Sequence, residues 1–135
     1  MYDMKKTLFF FLFLVGPAFA SDAGGACEAI GTSRQVAECA KYKRVQSDKL
    51  LNRSYKATVT RIRHQYEKVP PLGDDYISLL RVAQLGWIKL RDADCKLEAF
   101  EIEETAEAYQ VTINNCIARM SDDRASYLNR IALDI

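Results

Sequence analysis

Residues 51–75, LNRSYKATVTRIRHQYEKVPPLGDD, carry the reading that decides the fold. Leu51, Tyr55, Val59, Ile62, Tyr66 and Val69 recur at steps of 4, 4, 3, 4 and 3, the seam of an amphipathic helix that packs on other helices. Pro70-Pro71-Leu72-Gly73 then predicts an end to that helix, with Asp74 or Asp75 capping the next one. Upstream, neither Gly nor Pro interrupts the chain back to Thr32-Ser33-Arg34-Gln35, where Thr32 and Gln35 have the spacing of a capping box. The first helix therefore runs for most of the stretch from Thr32 to Val69.

Downstream, Tyr76, Leu80, Ala83, Trp87 and Leu90 repeat at steps of 4, 3, 4 and 3 and predict the seam of a second helix. Gly86 sits beside Trp87, where a missing side chain suits the approach of a neighbouring helix. Periodicity resumes at Tyr109, Ile113, Cys116, Met120, Tyr127 and Ile131. One helix from Asp75 to Asp134 would be about 90 Å long and could not bury its faces in so small a chain. A turn is expected near Glu103 to Thr105, with Thr105 as the cap and Glu107 in the first turn of a third helix. The fold class is all-α: a long antiparallel helical hairpin, a third helix packed back on it, and two disulfides as staples.

Of the six Gly and three Pro in the 135 residues, only Pro70, Pro71, Gly73 and Gly86 lie beyond position 31. An all-β fold, with a turn every 8 to 12 residues, is excluded on that count, and no Gly-rich phosphate loop supports a nucleotide-binding fold. Residues 1–20 read as an export signal: Lys5 and Lys6, the apolar run Leu8 to Val15, and Ala18-Phe19-Ala20 ahead of cleavage near Ala20/Ser21. Residues 21–135 then form one domain, with no membrane span expected. Loss of Lys5, Lys6 and Asp3 leaves seventeen basic and seventeen acidic residues, a balance that favours neither nucleic acid nor membrane as partner.

Cys27, Cys39, Cys95 and Cys116 all lie beyond the signal, and in an oxidising compartment four cysteines form a disulfide framework with three possible pairings. Cys27 with Cys39 would pin the lead-in onto the first helix. Cys95 and Cys116 lie about equally far from the turn near Thr105, so an antiparallel pair of helices brings them level. Zinc is not expected, because there is no C-x-x-C pair and His64 is the sole histidine. No cofactor and no catalytic site are expected either. His64 has no nucleophile in register, and the carboxylates of Glu98 to Glu107 lie on an exposed stretch without an apolar pocket.

Charge is uneven along this frame. Arg34 to Lys68 holds ten basic and three acidic residues, whereas Asp92 to Glu107 holds seven acidic residues against Lys96 alone. The bland interpretation is solvated helix faces; the functional one is a bipolar surface. On that second interpretation Lys49, Arg53, Lys56 and Arg63 form a basic stripe for anionic polymers, and Glu98, Glu101, Glu104 and Glu107 form a candidate partner-binding face. Polar residues also share faces with apolar ones in two clusters, Asp48/Leu51/Asn52/Tyr55 and Gln84/Trp87/Ile88/Arg91/Cys95. With the hairpin reversing near Pro71, the two faces meet. Tyr55 is expected against Trp87, and Asp48 and Asn52 are expected to supply acceptors to Arg91 and Gln84.

Cys27, Thr32 and Cys39, then Asp48-x-x-Leu51-Asn52-x-x-Tyr55, then Gln84-x-x-Trp87-Ile88-x-x-Arg91-Asp92-Ala93-x-Cys95, and finally Cys116 with Arg124 and Leu128, resemble the LprI-like lysozyme-inhibitor N-terminal domain family. The resemblance implies a small exported helical protein and a lysozyme, or another envelope protein, as its partner. The family often carries Gly or Ser between its third and fourth cysteines, whereas Lys96 to Asn115 contains neither. The function expected is non-enzymatic binding in the periplasm. The alternative is a periplasmic structural, stress or toxin-immunity protein without lysozyme activity.

Overall fold

A computed structural model describes residues 25–133, so the expected signal segment and its cleavage point lie outside the described residues. A 3-10 turn, Gly25–Cys27, leads into α1 (Ser33–Gln65), α2 (Pro70–Glu98) and α3 (Glu107–Leu128). No strand occurs among the described residues. Two disulfides staple the helices, Cys27–Cys39 and Cys95–Cys116.

The capping box forms as the sequence predicts. Thr32 is extended, its Oγ1 accepts from the Gln35 amide at 3.3 Å, and the Gln35 side chain accepts from the Thr32 amide at 3.1 Å. The other two helix starts differ from expectation. Pro70 and Pro71 do not end α1; they open α2 after Val69, and Asp74 and Asp75 lie inside that helix. Proline suits this place because its missing N–H would have no intrahelical acceptor there. The reversal is therefore Tyr66 to Val69, closed by the Val69 amide on the Tyr66 carbonyl at 2.9 Å. Gly73 is buried against Tyr66, where a Cβ would come within 3.0 Å of the Tyr66 Cβ, and the rings of Tyr66 and Tyr76 meet edge to face at 6.0 Å.

Thr105 likewise does not cap α3. Ala106 holds the N-cap position without a side-chain bond, and Glu107 enters the first turn as expected. The connection begins earlier than Glu103 because α2 stops at Glu98 and fully buried Ala99 turns the chain.

The third helix is parallel to the first. Arg44 bonds Asn114, Ser121 bonds Asp48, Thr58 bonds the Leu128 carbonyl and Arg61 bonds the Ile131 carbonyl, so partners run in the same order along both helices. The antiparallel α2 joins them through Arg91–Asp48, Arg124–Gln84 and Cys95–Cys116. α1 packs more extensively on α3 than on its hairpin partner α2. Small buried residues explain this preference: Ser47, Ser54 and Thr58 on α1 and Ala118, Ser121 and Ala125 on α3 are all buried, and small residues at a contact let helix axes approach. Leu51, Ile62, Leu80, Ala125 and Leu128 form the main core, and Cys95, Cys116 and Ile117 a second one.

On α2 the expected seam is half right. Leu80 is buried and Tyr76 and Trp87 are half-buried, but Ala83 and Leu90 face solvent, and the buried face runs through Gly73, Leu80, Gln84, Arg91 and Cys95. Gly86 has no neighbour within reach of a Cβ, so no helix of this molecule approaches it.

Arg61 belongs to the basic run yet serves the core. Its Nη2 donates to the Leu128 carbonyl at 2.8 Å, and Nε and Nη2 both donate to the Ile131 carbonyl. The Thr58 hydroxyl donates to the Leu128 carbonyl at 2.9 Å. Together they satisfy carbonyls at the C-terminus of α3, where a cation also suits the helix dipole. Arg61→Ala is expected to cost about 1–2 kcal/mol, the range for a charge-assisted bond at a half-buried site. Urea unfolding followed by circular dichroism measures this, and an unshifted midpoint would show that water replaces the guanidinium at no cost.

Candidate functional site

Seven of the nine residues of the two polar–apolar clusters, all but Trp87 and Cys95, line one cleft of about 400 Å³ between α1 and α2. Its walls carry Asp48, Asn52 and Tyr55 from α1 and Arg81, Gln84 and Arg91 from α2, with Leu51 and Ile88 as apolar floor. The i, i+3, i+4, i+7 spacing of each cluster places these side chains on one face of each helix, and the hairpin sets the two faces opposite.

Arg91 is the centre of the polar layer. It is 8% exposed; its Nη1 donates to Asp48 Oδ1 at 3.3 Å and to Ser121 Oγ at 3.2 Å, and its Nε donates to Asp92 Oδ1 at 2.9 Å. One guanidinium thereby ties all three helices together. Arg44 adds a long ion pair to Asp48, at 3.9 Å. No fully buried side-chain nitrogen or oxygen lacks a partner among the described residues, which is the condition under which a polar layer can be buried without heavy cost.

The expected partners of Trp87, Asn52 and Gln84 are replaced. Trp87 does not pair with the Tyr55 ring; it lies between two guanidinium groups, Arg91 at 5.4 Å and Arg124 at 5.6 Å from its ring centroid. Asn52 is exposed at the cleft rim, while Gln84 Oε1 accepts from Arg124 Nε at 3.0 Å. The reason is the third helix: α3 packs against this part of α2 and brings Arg124 to Gln84, which a two-helix register leaves out. Burial lowers the Arg124 guanidinium from its ordinary pKa, with Tyr127, 4.8 Å from the same guanidinium, opposing the shift. Asp92 and Arg124 lie outside the cleft, Asp92 as an exposed partner of Arg91 and Arg124 in the groove between α2 and α3.

The acidic residues occupy one end of the bundle. Glu98 closes α2 and forms an ion pair with Arg119; Glu101 and Glu104 lie in the α2–α3 connection, and Glu107 in the first turn of α3. All four are exposed, together with Glu103. Phe100, 83% exposed, lies between Glu98 and Glu101 in the chain. Sequence reasoning missed Phe100 because it follows no periodic seam; its signal is a large aromatic flanked by carboxylates. Lys49, Arg53, Lys56 and Arg63 are exposed along α1. Among the described residues no cluster of His, Cys, Asp and Glu could hold a metal ion, and no helix is long and apolar enough to cross a membrane.

A disulfide-stapled three-helix chain with this motif cleft defines a class of small helical proteins. Residues 25–128 match the family described as lysozyme inhibitor LprI, and the chain belongs to that family. It is similar to a crystal structure of a DUF1311 family protein from Pseudomonas putida KT2440, with 33% sequence identity over 77% of this chain and 97% of that one and a TM-score of 0.69. No curated protein matches the chain.

Proposed function

We propose that the protein is an exported, non-enzymatic binding protein of the bacterial periplasm that inhibits a cationic lysozyme. Residues 1–20 act as its signal and residues 21–135 as one LprI-like domain; two disulfides suit an oxidising compartment. The observation that carries the reading is the exposed α2–α3 connection, which presents Phe100 together with Glu101, Glu103 and Glu104 and leads into Glu107. Carboxylates on a turn steer a cationic partner and exclude others, and a protruding aromatic supplies the desolvated anchor that holds it. The Cys95–Cys116 bridge closes the loop that carries this turn, so it is presented on a rigid base.

Turbidity clearance of a cell suspension by a basic animal-type lysozyme tests the reading. Added protein is expected to slow lysis in proportion to its concentration. Glu101→Lys/Glu104→Lys/Glu107→Lys is expected to weaken inhibition by about tenfold or more, as is Phe100→Ala, and added salt should mimic the charge variant but not the aromatic one. Undiminished lysis at large molar excess sinks the inhibitor reading.

A further inference from the structure

The outer face of α2 is apolar along its whole length. At 100° per residue, Leu72, Asp75, Leu79, Val82, Ala83, Gly86, Leu90, Ala93 and Leu97 fall within a wedge about 100° wide, and Asp75 is the only charged residue among them. All nine are exposed; Leu79, Val82 and Leu97 are exposed to 70%, 69% and 71%. This wedge lies roughly opposite the buried face through Leu80, Gln84, Arg91 and Cys95, so neither α1 nor α3 covers it. The spacing 72, 79, 86, 93 and 83, 90, 97 is a sustained heptad pattern, the signature of a helix that pairs with another helix.

We propose that this face binds a second copy of the same chain, α2 against α2 and antiparallel, about a two-fold axis at Gly86. Three observations select that occupant. Around Gly86 the seam is self-complementary: Leu79 falls level with Ala93 of the second copy, and Leu90 level with Val82 of the second copy, apolar against apolar. Gly86 itself has open space where a Cβ would stand, which lets two backbones approach. The one charged seam residue, Asp75, falls beside Lys96 of the second copy, twice by symmetry, whereas a parallel pair would set Asp75 against Asp75 and Lys96 against Lys96. The two acidic turns then stand at opposite ends of the dimer, both open to solvent.

The exported, oxidised chain, examined by sedimentation equilibrium, is expected to show twice the chain mass. Leu79→Glu and Leu90→Glu should each weaken association by at least about a hundredfold with unchanged helical circular dichroism, since neither side chain is in the core. Lys96→Glu should weaken it about tenfold, and Asp75→Lys/Lys96→Glu should restore it. Gly86→Cys, which meets no atom in the single chain, should cross-link as a dimer under mild oxidation. A monomer at about 1 mM protein, including one whose α2 face is covered by its own N-terminal segment or by lipid, overturns the proposal. So does a dimer that survives both Leu79→Glu and Leu90→Glu.

Discussion

Cys95→Ala/Cys116→Ala is expected to lower the thermal midpoint by about 10–20 °C. The bridge closes a loop with a sequence separation of 21, and the chain-entropy account assigns about 3 kcal/mol to a closure of that length. For a domain near a hundred residues each kcal/mol moves the midpoint by about 4–8 °C. The cost does not end with chain entropy. Cys95 and Cys116 are themselves buried with Ile117 in the second core cluster, so the variant also loses packed volume. The Cys27–Cys39 bridge should matter less to the midpoint, although its loop is only somewhat shorter. It ties a 3-10 turn to a helix that already has a complete capping box, so its loss frees mainly the lead-in. Thermal unfolding of the two double variants measures the difference, and equal shifts would show that the lead-in supports the bundle as much as the α2–α3 connection does. On the proposed function, loss of Cys95–Cys116 should also weaken the inhibition before the protein unfolds, because the acidic turn then rests on an untied pair of helix ends.

Arg91→Leu is expected to cost about 2–3 kcal/mol, the range for bonds from a charged group at a buried site. Arg91 donates to Asp48 on α1, to Ser121 on α3 and to its neighbour Asp92. A leucine removes all three and leaves Asp48 with the weaker Ser121 bond and the long Arg44 pair. Asp48 is partly exposed, so water recovers some of the loss, and for that reason the estimate stays below the 3–5 kcal/mol of a fully buried broken pair. Asp48→Asn should cost less, about 1 kcal/mol, since an amide oxygen can still accept from Arg91. A double-mutant cycle between the two positions isolates the pair, and a coupling near zero would show that Arg91 stabilises through Asp92, Ser121 and Trp87 instead.

Much of this arrangement is legible in the chain. Thr32 and Gln35 form their box because both partners are local, and local bonds depend on spacing alone. The pairing Cys95–Cys116 follows from two helices joined by a turn about midway. The Asp48–Arg91 contact follows from the hairpin register, although its third member, Ser121, does not. Asp74, Asp75 and Thr105 looked like caps because their side chains suit the role, but Pro70 starts α2 and Ala106 precedes α3 without such a bond. Arg61 was indistinguishable from a surface cation, and Arg124 was marked only by the family motif, with no partner assigned. Their partners, the Leu128 and Ile131 carbonyls and Gln84, stand on other helices.

The sequence by itself determined three helices, the two reversals between them and the motif faces, because these depend on periodicity and on punctuation by proline, and it favoured the disulfide pairing found among the three possible ones. Tertiary structure alone decided that α3 packs on α1 more closely than α2 does, since that choice rests on small buried side chains, Ser54, Thr58, Ala118, Ser121 and Ala125, on the two surfaces. It also decided which of two apolar faces of α2 turns inward. Hydrophobic steps through Ala83 and Leu90 favoured one face, but the face that packs includes Gln84 and Arg91, polar groups that can be buried only because Arg124, Asp48 and Ser121 meet them there. The apolar face left outside is the one with room for a second chain.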